Sequence, residues 1–141
     1  MSANVLVVDD SGVMRSMIKR TLVLSGLDIE AVYEAANGIE ALAQMNAHPI
    51  GVVLLDINMP VMNGMTLLRR MRDDARLRDI PVVLASAEGS ETRIAELMSA
   101  GARGCVRKPF FPEQVRDVLL PILGAQAPSE SSTGSDENQT F

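Results

Sequence analysis

Five short apolar runs alternate with five amphipathic stretches along the chain. The first run, residues 5–8, is entirely Val and Leu, as expected of a strand buried on both faces. Beyond it, Val13, Met14, Met17, Ile18 and Leu22 recur at helical spacing. That stretch stops at Ser25-Gly26, where glycine suits a left-handed cap. Residues 29–33 read as a second strand. Asn37 can cap the helix that follows, with Glu40 three residues on as in a capping box, and Ile39 and Leu42 supply its inner face. Residues 51–55 form the third strand. A loop with Pro60 and Gly64 then leads to a helix carrying Leu67, Leu68 and Met71. Residues 81–85 are the fourth strand. Ser90 precedes a helix with Ile94, Leu97 and Met98, closed by Gly101. Cys105 and Val106 belong to a short fifth strand. Pro112 fits the first turn of a last helix lined by Val115, Val118, Leu119 and Ile122.

Such alternation predicts an α/β fold, a doubly wound (βα)₅ parallel sheet with helices on both faces. Right-handed crossovers leave few topologies, and strand order 2-1-3-4-5 is the natural one. A length of 141 residues suits one domain. Its expected extent is residues 1–124. Residues 125–141 turn to Ser, Thr, Gly, Asn and acids, the composition of a disordered tail.

Charge and composition narrow the function. The net charge of −5 includes −3 from Glu130, Asp136 and Glu137 near the end, which leaves −2 for the folded part. No basic field is present to hold phosphate backbones, so a nucleic-acid partner is not expected. Cys105 is the only cysteine and His48 the only histidine. An internal disulfide and a multi-cysteine metal site are thereby excluded, and any Ser-His or Cys-His catalysis would depend on His48, in an expected loop before Pro49. No cleavable leader pattern or membrane-length apolar segment is present, so the expected location is cytoplasmic, with no membrane partner.

In open α/β sheets, ligands sit outside the carboxyl ends of the strands. Asp9 and Asp10 follow the first strand, Asp56 the third, Ser86 the fourth and Lys108 the fifth. The second strand offers no comparable group. Taken singly, each residue has a plain reading: a capping acid, a loop carboxylate, a helix-capping serine, a solvated lysine. Those readings do not explain why all of them fall at adjacent strand ends. Three carboxylates there would repel one another unless a cation or protons intervened. Oxygen ligands suit Mg²⁺, which takes only one or two protein carboxylates and leaves another free to attack. With the Lys108 ammonium and the Ser86 hydroxyl, the set suits phosphoryl transfer to a carboxylate.

Four segments carry a family resemblance: Val5-Leu-Val-Val-Asp9-Asp10-Ser11, Leu54-Leu-Asp56-Ile-Asn58-Met-Pro60-Val-Met-Asn-Gly64, Ala85-Ser86-Ala-Glu88, and Lys108-Pro109-Phe110. In order and spacing they resemble the receiver domain of two-component signalling, over about residues 4–123. The lack of an output module resembles the single-domain chemotaxis regulators. The resemblance implies a flavodoxin-like fold and an aspartyl-phosphate switch, not a metabolic enzyme. Asp56 would be the phosphoacceptor. Asp10 and Asp56 would bind Mg²⁺ directly, Asp9 through water, and Asn58 through its backbone carbonyl. Lys108 and Ser86 would hold phosphoryl oxygens. Asn58 and Glu88 would affect the hydrolytic water, and the Lys108-Pro109 bond would be cis. The implied partners are a sensor histidine kinase or phosphotransfer protein, and a target on the face of the fourth helix, fifth strand and fifth helix. The chain would act as a monomer. One departure stands out. Many members carry Tyr or Phe three residues before the lysine, where this chain has Cys105, so an aromatic rotamer switch cannot operate there.

Two rivals come from other classes. A haloacid-dehalogenase-like phosphatase also uses a strand-end aspartate, Mg²⁺ and lysine, but needs a second Asp two positions after the first, where this chain has Ser11. A flavodoxin-like nucleotide binder needs a phosphate loop after the first strand, where Asp9 and Asp10 would repel phosphate. A receiver that only drains or shuttles phosphate is a third possibility within the same family.

Overall fold

The computed structural model describes residues 3–57, 64–86 and 91–126. Among these described residues ten elements alternate: β1 (Ala3–Val8), α1 (Gly12–Leu24), β2 (Ile29–Ala35), α2 (Gly38–Ala47), β3 (Val52–Asp56), α3 (Gly64–Arg72), β4 (Val82–Ser86), α4 (Glu91–Ser99), β5 (Gly104–Arg107) and α5 (Pro112–Gln126). The strands form one parallel sheet in the order β2-β1-β3-β4-β5. This is the flavodoxin-like arrangement expected from the sequence.

The two faces of the sheet carry separate cores. Leu6, Val8, Val53, Leu55 and Leu84 pack beneath α2, α3 and α4, with Met45, Leu67, Met71 and Leu97. Val5, Val7, Val52, Leu54 and Val83 pack beneath α1 and α5, with Ile18, Leu22, Val115 and Leu119. Alternate residues of one strand thus enter opposite cores, which is why the central strands have no polar face.

Two helical stripes differ from the sequence reading. In α1 the inward residues are Ile18, Leu22 and the partly buried Met14, whereas Val13 is 74% and Met17 55% exposed. In α2 the inward residues are Gly38, Ala41 and Met45, with Leu42 at the edge, while Ile39 is 59% exposed. The reason is common to both helices. Each of these outward residues precedes an inward-facing position, or follows one, by a single residue, which rotates it by about 100°. Met98 on α4 is also partly exposed, beside the buried Leu97.

Helix ends follow their expected chemistry. Asn37 accepts from the Glu40 N–H at 2.9 Å, and Glu40 reaches back to the Ala36 N–H at 2.8 Å. Gly26 follows the Ser25 cap of α1 with φ +79°, where a Cβ would be strained. His48 is the C-cap of α2, its ring stacked on Tyr33 at 4.0 Å, well away from any role as a general base for Ser86 or Cys105. Helix α5 runs to Gln126, two residues beyond the boundary drawn at 124. Residues 127–141 lie outside the described part.

Candidate functional site

Because the strands are parallel, all five carboxyl ends meet one edge of the sheet. The backbone fixes the residues there. The Asp9 N–H donates to the Ala35 carbonyl at 3.0 Å, the Ile57 N–H to Ala85 at 3.4 Å, and the Lys108 N–H to Ser86 at 2.8 Å. Asp56 is the last residue of β3 and Ser86 the last of β4, rather than the first residues beyond them. Asp9 follows β1 directly and Lys108 follows β5 directly, with a cis peptide to Pro109.

Asp9, Asp10 and Asp56 each place a carboxylate oxygen within 4.8 Å of the other two. Asp9 and Asp56 are buried and Asp10 is exposed, so the cluster opens to solvent on one side. The Lys108 Nζ stands on the other side, 3.4 Å from Asp9 Oδ2 and 3.7 Å from Asp56 Oδ1. Asp9 Oδ1 accepts from the Ser11 N–H at 2.9 Å, while the Ser11 hydroxyl accepts from the Met14 N–H and caps α1. The donors are all hard oxygens gathered around a shared gap, which fits a divalent cation such as Mg²⁺ and suits Zn²⁺ or copper poorly. The Ser86 hydroxyl lies 3.4 Å from Cys105 Sγ, so the residue in the usual aromatic position touches the serine itself.

Asn58 and Glu88 lie outside the described residues. Sequence reasoning missed four participants: Arg15, Lys19, Glu34 and Arg93. Arg15 on α1 donates through Nη1 to the Asp9 carbonyl at 2.6 Å and through Nε to Glu34 Oε1 at 2.8 Å. Lys19 holds the other Glu34 oxygen at 3.0 Å. The hydrogen bonds from Arg15, then Lys19, hold the Glu34 carboxyl below its ordinary range. The second strand therefore does supply a group, one step behind the cluster. Its signal was an acid near the end of β2 on the same side as two basic residues four apart on α1 (Arg15 and Lys19). Arg93 of α4 also donates to the Ile57 carbonyl at 3.0 Å, next to Asp56.

An edge of a doubly wound sheet bearing an acidic triad and a lysine defines a receiver-type switch domain. The chain belongs to the response regulator receiver domain family, whose sequence profile matches residues 5–120. It is 40% identical over 120 residues to the chemotaxis protein CheY1 of Helicobacter pylori, covering 84% of this chain and 95% of that protein. It is 35% identical over 124 residues to the chemotaxis protein CheY of Bacillus subtilis, covering 87% of this chain and 99% of the relative. The crystal structure of CheY4 from Vibrio cholerae superposes with a TM-score of 0.76 at 34% identity, over 86% of this chain and 99% of that one. Among the described residues, no helix is long and apolar enough to cross a membrane.

Proposed function

We propose that this receiver accepts a phosphoryl group on Asp56 and uses it to change the affinity of the α4-β5-α5 face for a protein target in chemotaxis or a related phosphorelay. The observation that carries this reading is the meeting of Asp9, Asp10 and Asp56 within 4.8 Å, with the Lys108 ammonium bridging two of them. Relationship to CheY proteins along nearly their whole length supports it.

Asp10 and Asp56 would hold Mg²⁺ directly and Asp9 through water, with the Asn58 carbonyl as a further ligand. Bound there, the ion would offset charge on the phosphoryl oxygens. An Asp56 oxygen attacks the phosphorus of a phosphohistidine in line. The P–N bond breaks as the new P–O bond forms; its electron pair stays on the ring nitrogen, and the histidine of the kinase or phosphotransfer protein leaves as neutral imidazole because its other ring nitrogen already carries a proton taken from solvent. Lys108 stands close enough to Asp56 to pair with an equatorial oxygen as charge builds there. Ser86 then exchanges its contact with Cys105 for a phosphoryl oxygen. That exchange biases α4 and β5 between two arrangements. Asn58, Glu88, Cys105 and Pro109 would modulate hydrolysis and switching. The protein acts as a monomeric, cytoplasmic switch that catalyses only its own phosphorylation and dephosphorylation. A receiver that only drains phosphate would share the chemistry but lack the target.

Incubation with acetyl phosphate and Mg²⁺, followed by intact mass and site mapping, tests the acceptor. One phosphoryl group should appear on Asp56, and Asp56→Asn should abolish it. Labelling of the variant at wild-type level would place the acceptor elsewhere.

A further inference from the structure

The Asp9 carbonyl belongs to the peptide that joins the two adjacent acids. Its oxygen accepts from Arg15 Nη1 at 2.6 Å, and Arg15 is itself held by Glu34 on the neighbouring strand. Asp9 is fixed further by its N–H on Ala35 and its Oδ1 on the Ser11 N–H. Asp10 has no comparable support. It is exposed, and among the described residues no hydrogen bond fixes its carboxylate. The preceding peptide, held by Arg15, is therefore the nearest restraint on where its side chain leaves the backbone.

We infer that Arg15 is a positioning residue for the acidic cluster: by holding the Asp9–Asp10 peptide against Glu34, it aims the Asp10 carboxylate at the cation shared with Asp56. The inference rests on the divalent-cation reading of that cluster. Arginine suits the task because its planar fork reaches two acceptors at once. Lysine keeps the charge but cannot span both with the same geometry. The side chain is only 20% exposed, so its geometry is held by packing as well as by its two partners.

Charge and position make opposite predictions. A cation beside three carboxylates weakens binding of another cation, so if Arg15 acted by charge alone, Arg15→Met would tighten Mg²⁺ and Arg15→Lys would leave it unchanged. If Arg15 acts by position, both variants loosen it, by about tenfold, as loss of a group orienting a metal ligand typically does. The experiment is titration calorimetry of the full chain with magnesium chloride, for wild type and both variants, alongside melting of the metal-free proteins. Amide spectra in chelator supply a second readout: Arg15→Lys should shift the Asp10 and Ser11 resonances before any metal is added. A purely structural role would lower the metal-free melting temperature and leave the Mg²⁺ affinity as it was. Wild-type affinity in both variants, or tighter binding by Arg15→Met, overturns this inference alone. Wild type that takes up no Mg²⁺ overturns the cation reading and this inference with it.

Discussion

Near the end of β2, Glu34 accepts from Arg15 with one oxygen and from Lys19 with the other. Those two bonds favour its ionised form, which makes the carboxylate a source of pH dependence. Its folded-state value is depressed, so its stabilising contribution is complete above the unfolded value and is lost as pH falls through the folded one. Glu34→Gln should therefore lower the urea midpoint at neutral pH, and the gap from wild type should close in acid, below the ordinary glutamate range. A gap that stays constant with pH would mean that the ionised pair contributes nothing. At this scale the sequence told only part of the story. Asp9, Asp10, Asp56, Ser86 and Lys108 were legible because strand ends in a parallel sheet converge by topology. Arg15 and Glu34 were not, because their meeting depends on the rotation of α1 over β1 and β2, which spacing along the chain does not give.

Among the elements, α5 holds the clearest internal conflict. Pro121 sits inside the helix, where it has no N–H to donate to the Asp117 carbonyl and its ring crowds that oxygen. Both residues are exposed, so water can satisfy the carbonyl. Pro121→Ala should restore the bond and stabilise the protein by about 1–3 kcal/mol, read as a raised melting temperature. An unchanged or lowered value would show that the ring is packed to advantage. The strands and caps were readable from the sequence to within two residues, because β-branched runs, Asn37 and Gly26 act locally. The faces of α1 and α2 were less so. Val13, Met17 and Ile39 are apolar yet point outward, and apolar spacing does not distinguish a core stripe from an exposed shoulder one residue away.

For the molecule as a whole, every buried hydrophobic residue among those described lies between Val5 and Leu119. The composition beyond Ala127 has no apolar period with which to add to either core. Deleting residues 127–141 should move the melting temperature by less than about 3 °C, under ~1 kcal/mol for a domain of this size. A larger fall would mean that the segment is packed.

The pairing of β3 with β4 sets Asp56 opposite Ala85, with Ser86 one step beyond. Side chains alternate strictly across a sheet, so a slip of a single residue would turn the Asp56 carboxylate away from its partners and exchange the contents of the two cores. A misaligned chain would thus lose its chemistry and its interior together. On the proposed acceptor role of Asp56, the fraction of a preparation that takes up a phosphoryl group there should fall in step with the fraction correctly aligned, in purified samples or in libraries of variants.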